Sequence, residues 1–107
     1  MPNFILAYHG EMKKPATPEE GNAQMVKWRT WLQGLGSAIV NPGSPLGSSK
    51  LVTPRGVSED NLSDRMTGFS VVKADNLDAA IELAKSCPYV ELGGTLRVAE
   101  LKEMKPG

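Results

Sequence analysis

The chain has 107 residues, of which 40% are hydrophobic and 22% charged, and this predicts one globular domain over residues 1–107. Its 12 basic and 12 acidic residues balance, which argues against nucleic acid and against an anionic membrane surface as partners. The only cysteine is Cys87, so no intrachain disulfide can form.

The first apolar run, Phe4 to Tyr8, has the length of a strand and is closed by His9 and Gly10. Because the run is apolar on both faces, it is typical of a central strand that is covered on both sides. It is too short for a signal peptide or a membrane span, and no positively charged segment precedes it. We therefore expect a cytoplasmic protein.

An amphipathic helix is predicted over residues 17–35. Thr17 is a favourable N-cap, and Gly36 follows the last helical residue. Apolar residues at spacings of three and four form the predicted buried stripe of this helix: Met25, Trp28, Leu32 and Leu35. Trp31 flanks the stripe and is expected to be less buried than Trp28.

The middle of the chain alternates between short strands and polar segments. A strand is predicted over Ala38–Val40, and the Gly-, Pro- and Ser-rich stretch Pro42–Ser49 is predicted to be a loop. Lys50–Thr53 is expected to be the returning strand of a hairpin. The charged stretch Ser58–Arg65 is typical of a surface segment, and Gly68–Ala74 predicts a clear strand.

The last third of the chain predicts a helix and a strand. Asp75 can cap the helix, and Pro88 is expected to stop it. Four residues form its apolar stripe: Leu77, Ala80, Ile81 and Ala84. After the turn at Gly93 and Gly94, Thr95–Leu101 is the final strand. The order β-α-β-β-β-α-β predicts an α+β, ferredoxin-like antiparallel sheet with two helices on one face and an extra hairpin strand.

The predicted sheet is apolar on both faces, whereas two helices can cover only one of them. In the first strand Phe4, Leu6 and Tyr8 are predicted to point one way and Ile5, Ala7 and His9 the other. An apolar open face needs a cover, and a second copy of the same sheet provides one, so we expect a homodimer. The alternative is that the 42–49 loop or the C-terminal tail folds over this face.

Three stretches of the chain resemble the YCII-related (DGPF-domain) family: FILAYHGE, TPEEGNAQMVKWRTWLQGLG and GFSVVKADNLDAAIELAKSCPYVELGGTLRVAEL. The resemblance covers essentially the whole chain and implies a dimeric α/β barrel, in which two ferredoxin-like sheets pack face to face. The chain departs from the family between Arg55 and Asp60, where it reads RGVSED instead of containing an Asp-Gly-Pro-Phe motif. Asp60 and Asp64 are the nearby carboxylates that can substitute for the motif's aspartate.

His9 is the only histidine and the candidate for chemistry. An imidazole that titrates near neutral pH can transfer protons when a carboxylate orients it, and the resemblance implies a His-Asp pair of this kind in some relatives. We expect Asp60 or Asp64 to supply the carboxylate and His9 to open into a cavity. The alternative is a loop histidine that hydrogen-bonds to the backbone.

The sequence predicts neither a metal nor an organic cofactor. One His and one Cys cannot supply a zinc site, and the carboxylates of Glu59, Asp60 and Asp64 lack the spacing of a calcium loop. No glycine-rich nucleotide-binding motif is present. Cys87 is expected near a helix C-terminus, where nothing activates the thiol, and is interpreted as a core residue.

Three residues are candidates for ligand binding: Tyr8, Trp31 and Arg97. Trp31 lies one helical turn from Trp28, and the two rings can line an aromatic pocket, although core packing is the expected role of Trp28. Tyr8 and Arg97 are expected at a face or edge of the sheet, where they can bind an anion. Two functional hypotheses follow. The first is a cofactor-independent enzyme of lyase or isomerase type that acts on a small organic molecule through His9. The second is a non-catalytic dimeric domain that binds a small molecule or a partner protein.

Overall fold

The computed structural model describes residues 1–10, 14–60 and 65–102. Within these ranges it contains six strands and three α-helices, with a short 3₁₀ turn at Gly36–Ala38. In chain order the elements are β1 (Asn3–His9), α1 (Pro18–Leu35), β2 (Ile39–Pro45), β3 (Lys50–Thr53), β4 (Gly56–Glu59), β5 (Met66–Lys73), α2 (Leu77–Lys85), α3 (Pro88–Glu91) and β6 (Thr95–Leu101). None of the described helices is long and apolar enough to cross a membrane.

Four strands form one antiparallel sheet in the order β2-β5-β1-β6. The strands β1 and β2 flank β5 although a helix connects them, which is the split βαβ arrangement of ferredoxin-like folds. The ferredoxin-like α+β prediction is therefore confirmed. The first strand is central, as its doubly apolar sequence indicated, and it pairs with β5 on one side and β6 on the other.

The main core lies between this sheet and the helices. Phe4, Leu6 and Tyr8 project from β1 to the same face, and all three are buried. They cluster with Ala80 and Ala84 of α2 and with further buried side chains: Trp31, Val72, Ala74, Cys87 and Tyr89. The helices therefore cover the face of the sheet that Tyr8 shares.

The opposite face of the sheet carries a second apolar set. Ile5 lies opposite Val71, and Ala7 lies opposite Phe69. Ala7 is buried and the other three are half-buried. Both faces of the central strands are thus apolar, whereas the helices pack on only one of them.

The caps of α1 are as predicted, and Trp28, Leu32 and Leu35 of its predicted stripe pack against the core, but Met25 and Trp31 do not follow the prediction. The Oγ1 of Thr17 accepts a hydrogen bond from the backbone N–H of Glu20 at 3.1 Å, and the helix ends before Gly36, whose φ is +52°. Trp31 is only 7% exposed, whereas Met25 is 61% exposed and Trp28 is half-buried. The predicted order of burial is therefore wrong.

The reason for this reversal is a contact with a distant part of the chain. The indole N–H of Trp31 donates to the backbone oxygen of Leu83 and to the Oγ of Ser86, both at 3.2 Å. A buried indole needs such acceptors. The helix is therefore rolled so that Trp31 faces the end of α2.

The second helix differs from its prediction at both ends. Its N-cap is Asn76, whose Oδ1 accepts from the N–H of Ala79 at 2.8 Å. It ends at Lys85, and Pro88 begins the short helix α3 instead of stopping α2. A proline suits the first position of a helix because the missing N–H has no partner to lose there. Cys87 is the N-cap of α3 and is fully buried.

The strand β2 runs through the stretch that was predicted to be a loop. It extends to Pro45 and pairs with β5 with two register shifts. Proline is tolerated here because β2 is an edge strand of the sheet. Gly43 has a φ of +78°, and a Cβ on it would lie 1.6 Å from the backbone oxygen of Phe69. Only glycine permits this approach of the two strands.

The strands β3 and β4 form a separate two-stranded hairpin. The returning strand was expected to follow β2, but Lys50–Thr53 pairs instead with Gly56–Glu59. Lys50 forms an ion pair with Glu59. The cross-strand pair Val52 and Val57 is exposed, at 79% and 67%.

Candidate functional site

A cavity of about 670 Å³ lies at the end of the central strands, on the face of the sheet that the helices cover. Its lining comes from β1 (Tyr8), α1 (Trp28, Leu32), β2 (Pro42, Gly43, Ser44, Pro45), β5 (Thr67, Gly68, Phe69, Ser70) and α3 (Tyr89), with Gly10, Lys14 and Arg65 beside them. Small-molecule sites commonly span roughly 300–1,000 Å³ and are mostly apolar. This cavity is therefore of a size that suits a small organic ligand.

One wall of the cavity is aromatic. The ring centroids of Tyr8 and Trp28 are 5.7 Å apart and the rings meet at 84°. Tyr8 also contacts Tyr89, at 5.1 Å and 39°. Trp28 rests with the same edge-to-face geometry on the buried Trp31, at 5.8 Å. Such arrangements are favourable, so the buried tryptophan supports the one that faces the cavity.

The hydroxyl of Tyr8 belongs to a buried hydrogen-bond chain. It lies 2.6 Å from the Oγ of Ser70, which in turn donates to the backbone oxygen of Pro42 at 2.9 Å. A serine hydroxyl has one proton, so Tyr8 donates to Ser70. Burial raises the pKa of Tyr8 to about 12. The phenol is therefore neutral at physiological pH and holds β1, β5 and β2 together.

A second hydroxyl fixes the end of β1. The Oη of Tyr89 donates to the backbone oxygen of Gly10 at 2.7 Å and lies 3.2 Å from that of His9. It also lies 2.9 Å from the Oγ1 of Thr67. A Cβ at Gly94 would lie 2.1 Å from the Tyr89 ring. The glycine before β6 thus provides the space that this tyrosine occupies.

The charged side chains among the described lining residues of the cavity are cationic. Lys14 and Arg65 line it and are exposed. No Asp or Glu is present among the described lining residues. The backbone N–H of Gly10 donates to the backbone oxygen of Arg65 at 3.1 Å, which brings the segments that carry the two cations to one end of the sheet. The described lining thus combines an apolar interior with a positively charged mouth.

His9 lies between two residues that line the cavity, Tyr8 and Gly10, and is not itself among the described lining residues. The pairing of β1 with β5 shifts register between Tyr8 and His9. His9 is half-buried, and its Nε2 is shielded from solvent.

Of the two candidate carboxylates, Asp60 and Asp64, the structure describes only the first. The Oδ2 of Asp60 accepts a hydrogen bond from the Oγ of Ser49 at 2.8 Å. Asp64 lies outside the described residues. The pairing of His9 with either aspartate stays a prediction.

The three candidate ligand-binding residues are separated by the fold. Tyr8 lines the cavity. Trp31 is buried behind Trp28, which takes the place at the cavity that was expected of Trp31. Arg97 is exposed and pairs with Ala7, so it lies on the open face of the sheet and not with Tyr8.

Sequence reasoning assigned Trp28 to the core and missed Ser70 and Tyr89 as site residues. The sequence does point to Ser70, because it is a polar residue at an inward position of an otherwise apolar strand. It does not point to Tyr89, because this residue reaches His9 and Gly10 across about eighty positions of sequence. Within residues 1–10, 14–60 and 65–102, no group of three His, Cys, Asp or Glu side chains is arranged to hold a metal ion.

These features define an α+β protein of ferredoxin-like topology with an aromatic-walled cavity. The chain belongs to the YCII-related domain family, whose model matches residues 1–105. The resemblance noted in the sequence is therefore confirmed. No curated protein shows significant similarity to the chain.

A solved structure shares the fold. It is a 5-chloro-2-hydroxyhydroquinone dehydrochlorinase from Burkholderia phenoliruptrix, in complex with 2,5-dihydroxybenzoquinone. The match has a TM-score of 0.52 and 18% sequence identity, and it covers 97% of this chain and 95% of that one. At this identity the likeness establishes the fold.

Proposed function

We propose that this protein is a cofactor-independent enzyme of lyase or isomerase type that acts on a small organic molecule in the cavity beside Tyr8, Trp28 and Tyr89. The main observation that supports this proposal is the cavity. It has the volume of a small-molecule site, and its aromatic wall offers a flat apolar body a surface to stack on.

The structural neighbour supports the choice of an enzyme. Its name describes a dehydrochlorinase of a small ring compound, and it was solved with a related ring compound bound. The shared fold therefore accommodates chemistry on small rings in at least one protein.

The proposal assigns proton transfer to His9, with Asp60 or Asp64 as the orienting carboxylate. Support comes from the position of His9 between two cavity-lining residues, and from the shielding of its Nε2 from bulk water. The bonds from Tyr89 to the adjacent carbonyls hold this strand end in place. Tyr8 is less suited to proton transfer because its hydroxyl is neutral and already donates to Ser70.

Binding and turnover can be tested separately with 2,5-dihydroxybenzoquinone and 5-chloro-2-hydroxyhydroquinone as probes. The first should quench tryptophan fluorescence saturably, and Trp28→Leu should weaken its binding about tenfold or more. Val57→Ala, on the exposed hairpin, is the control and should change nothing.

His9→Gln should bind the first probe normally and lose turnover of the second. Binding without turnover by the wild-type protein would favour the non-catalytic hypothesis. Absence of binding, or normal binding by the Trp28 variant, would contradict the placement of the site.

We also propose that the protein is a homodimer in which two sheets pack through the open faces. The apolar set Ile5, Ala7, Phe69 and Val71 supports this, because the helices cover only the other face. Light scattering after size exclusion should give twice the 11.5 kDa chain mass. Val71→Glu should give the monomer mass while Val57→Glu does not, and a wild-type monomer would refute the proposal.

A further inference from the structure

We propose that the ligand of this cavity carries an anionic group, such as a carboxylate or an acidic phenolate, which binds at the mouth to Lys14 and Arg65 while its neutral ring enters the aromatic interior. This inference rests on the proposed function, because it names the chemical class of ligand for the same cavity.

The mouth has the charge that this ligand requires. Lys14 and Arg65 are both exposed lining residues, and neither forms an ion pair with another described residue. The described lining contains no carboxylate to neutralise them. A cleft lined by charges of one sign concentrates ligands of the other, and a guanidinium can bind a carboxylate through two parallel hydrogen bonds.

The interior beside Tyr8 disfavours an anion, because the hydroxyl protons of Tyr8, Ser70 and Tyr89 already form hydrogen bonds. Tyr8 donates to Ser70, and Ser70 donates to the backbone oxygen of Pro42. Tyr89 donates to Gly10, and Thr67 lies within bonding distance of the Tyr89 hydroxyl and of the Tyr8 backbone oxygen. An anion placed among these groups would be desolvated without donors to replace water, which is costly. The charge of the ligand therefore belongs at the mouth.

The two regions together set an orientation. A ring stacked against Trp28 or Tyr8 has its interior end near Ser70 and its outer end towards the cations. A neutral ligand of the same shape gains the stacking but not the charge-assisted hydrogen bonds. The cavity should therefore distinguish isosteric rings by their charge.

The experiment compares benzoate with benzamide, which has nearly the same shape and no charge, by tryptophan fluorescence at low salt. Benzoate should bind about tenfold more tightly, as expected for one charge-assisted hydrogen bond, and added salt should reduce this advantage. Lys14→Met and Arg65→Met should each lower the affinity for benzoate and leave that for benzamide unchanged.

Two matched variants serve as controls. Lys50→Met removes a cation from the hairpin, and Arg97→Met removes the exposed arginine of the open face. Neither should alter the binding of benzoate. Circular dichroism of every variant checks that it is folded.

The outcomes separate the two proposals. Equal binding of benzoate and benzamide, insensitive to Lys14 and Arg65, would overturn the charge selection and leave the cavity as a ligand site. A loss of benzoate binding in Arg97→Met alone would overturn it by moving the anion site to the other face. Failure of both probes, together with the quinone probe, would overturn the site altogether.

Discussion

Replacement of Trp31 by alanine should destabilise the fold more than replacement of Trp28. Trp31 is 7% exposed, and its N–H donates to Leu83 of α2 and to Ser86 just after that helix. Its removal therefore leaves a closed void and breaks both of these hydrogen bonds. Truncating a buried large aromatic costs about 3–5 kcal/mol. Trp28 borders an existing cavity that water can fill, so we expect its loss to cost about 1–3 kcal/mol.

Urea denaturation followed by far-UV circular dichroism measures both free energies of unfolding. The Trp31 variant should also melt more than ~10 °C below the wild type, given about 4–8 °C per kcal/mol for a domain of this size. Trp31→Phe, which keeps an aromatic ring and most of the side-chain volume, should recover more than half of the loss. Equal losses for the two tryptophans, or a larger loss at Trp28, would show that the assignment of the helix face is incorrect.

Two further predictions concern a close approach and the effect of alkali. Gly43→Ala should lower the free energy of unfolding by about 2 kcal/mol or more, because it forces a Cβ to 1.6 Å from Phe69 O at a φ of +78°. Gly47→Ala is the control: its Cβ meets nothing within 4 Å, and it should change the free energy of unfolding by less than about 0.5 kcal/mol in the same urea titration. Burial raises the pKa of Cys87 from 9.0 to about 11 and that of Tyr8 from 10.0 to about 12, so the folded state favours both neutral forms. The stability that these two neutral groups contribute to the fold is fully present below pH 9 and is lost as the pH rises through 11 and 12. The Tyr8→Phe, Cys87→Ala double variant should lose this dependence in urea titrations across that range, and an unchanged slope would contradict the assignment.

The parts of the fold that follow from local patterns could be predicted from the sequence. A strand that is apolar on both faces is central, and Thr17 and Gly36 bound the first helix through hydrogen bonds within a few residues. The buried face of that helix depends instead on Leu83 and Ser86, more than fifty positions away. Residue spacing does not reveal that contact, so the sequence places Trp28, Leu32 and Leu35 against the core correctly but not Trp31.

The prediction that a strand breaks at Pro42 was wrong for a different reason. Proline disrupts a strand because it lacks an N–H for the ladder, but β2 is an edge strand and has a neighbour on one side only. Whether a strand lies at an edge is a property of the whole sheet, so it cannot be inferred from the local composition. The same limit applies to β3, whose partner is the following segment rather than the preceding strand.

The candidate site could be predicted only in part. Tyr8 is predicted from the sequence to lie at a face or edge of the sheet and to bind a ligand there, and in the structure it lines the cavity. The cavity also needs Trp28, Ser70 and Tyr89, which the fold brings to Tyr8 from a helix, another strand and a short helix. Such convergence depends on tertiary contacts. The catalytic pairing of His9 with an aspartate stays a prediction.

Because Cys87 is the only sulfhydryl of the chain, it is a natural reporter of transient opening. It is fully buried between α2 and α3, and its raised pKa leaves almost no thiolate at neutral pH. An alkylating reagent therefore modifies it only while the α2–α3 corner is open, so the rate of modification follows the free energy of that local unfolding. Tyr89 lies on α3 and lines the cavity, so a ligand that holds this corner closed slows the alkylation, and occupancy can be followed without any label.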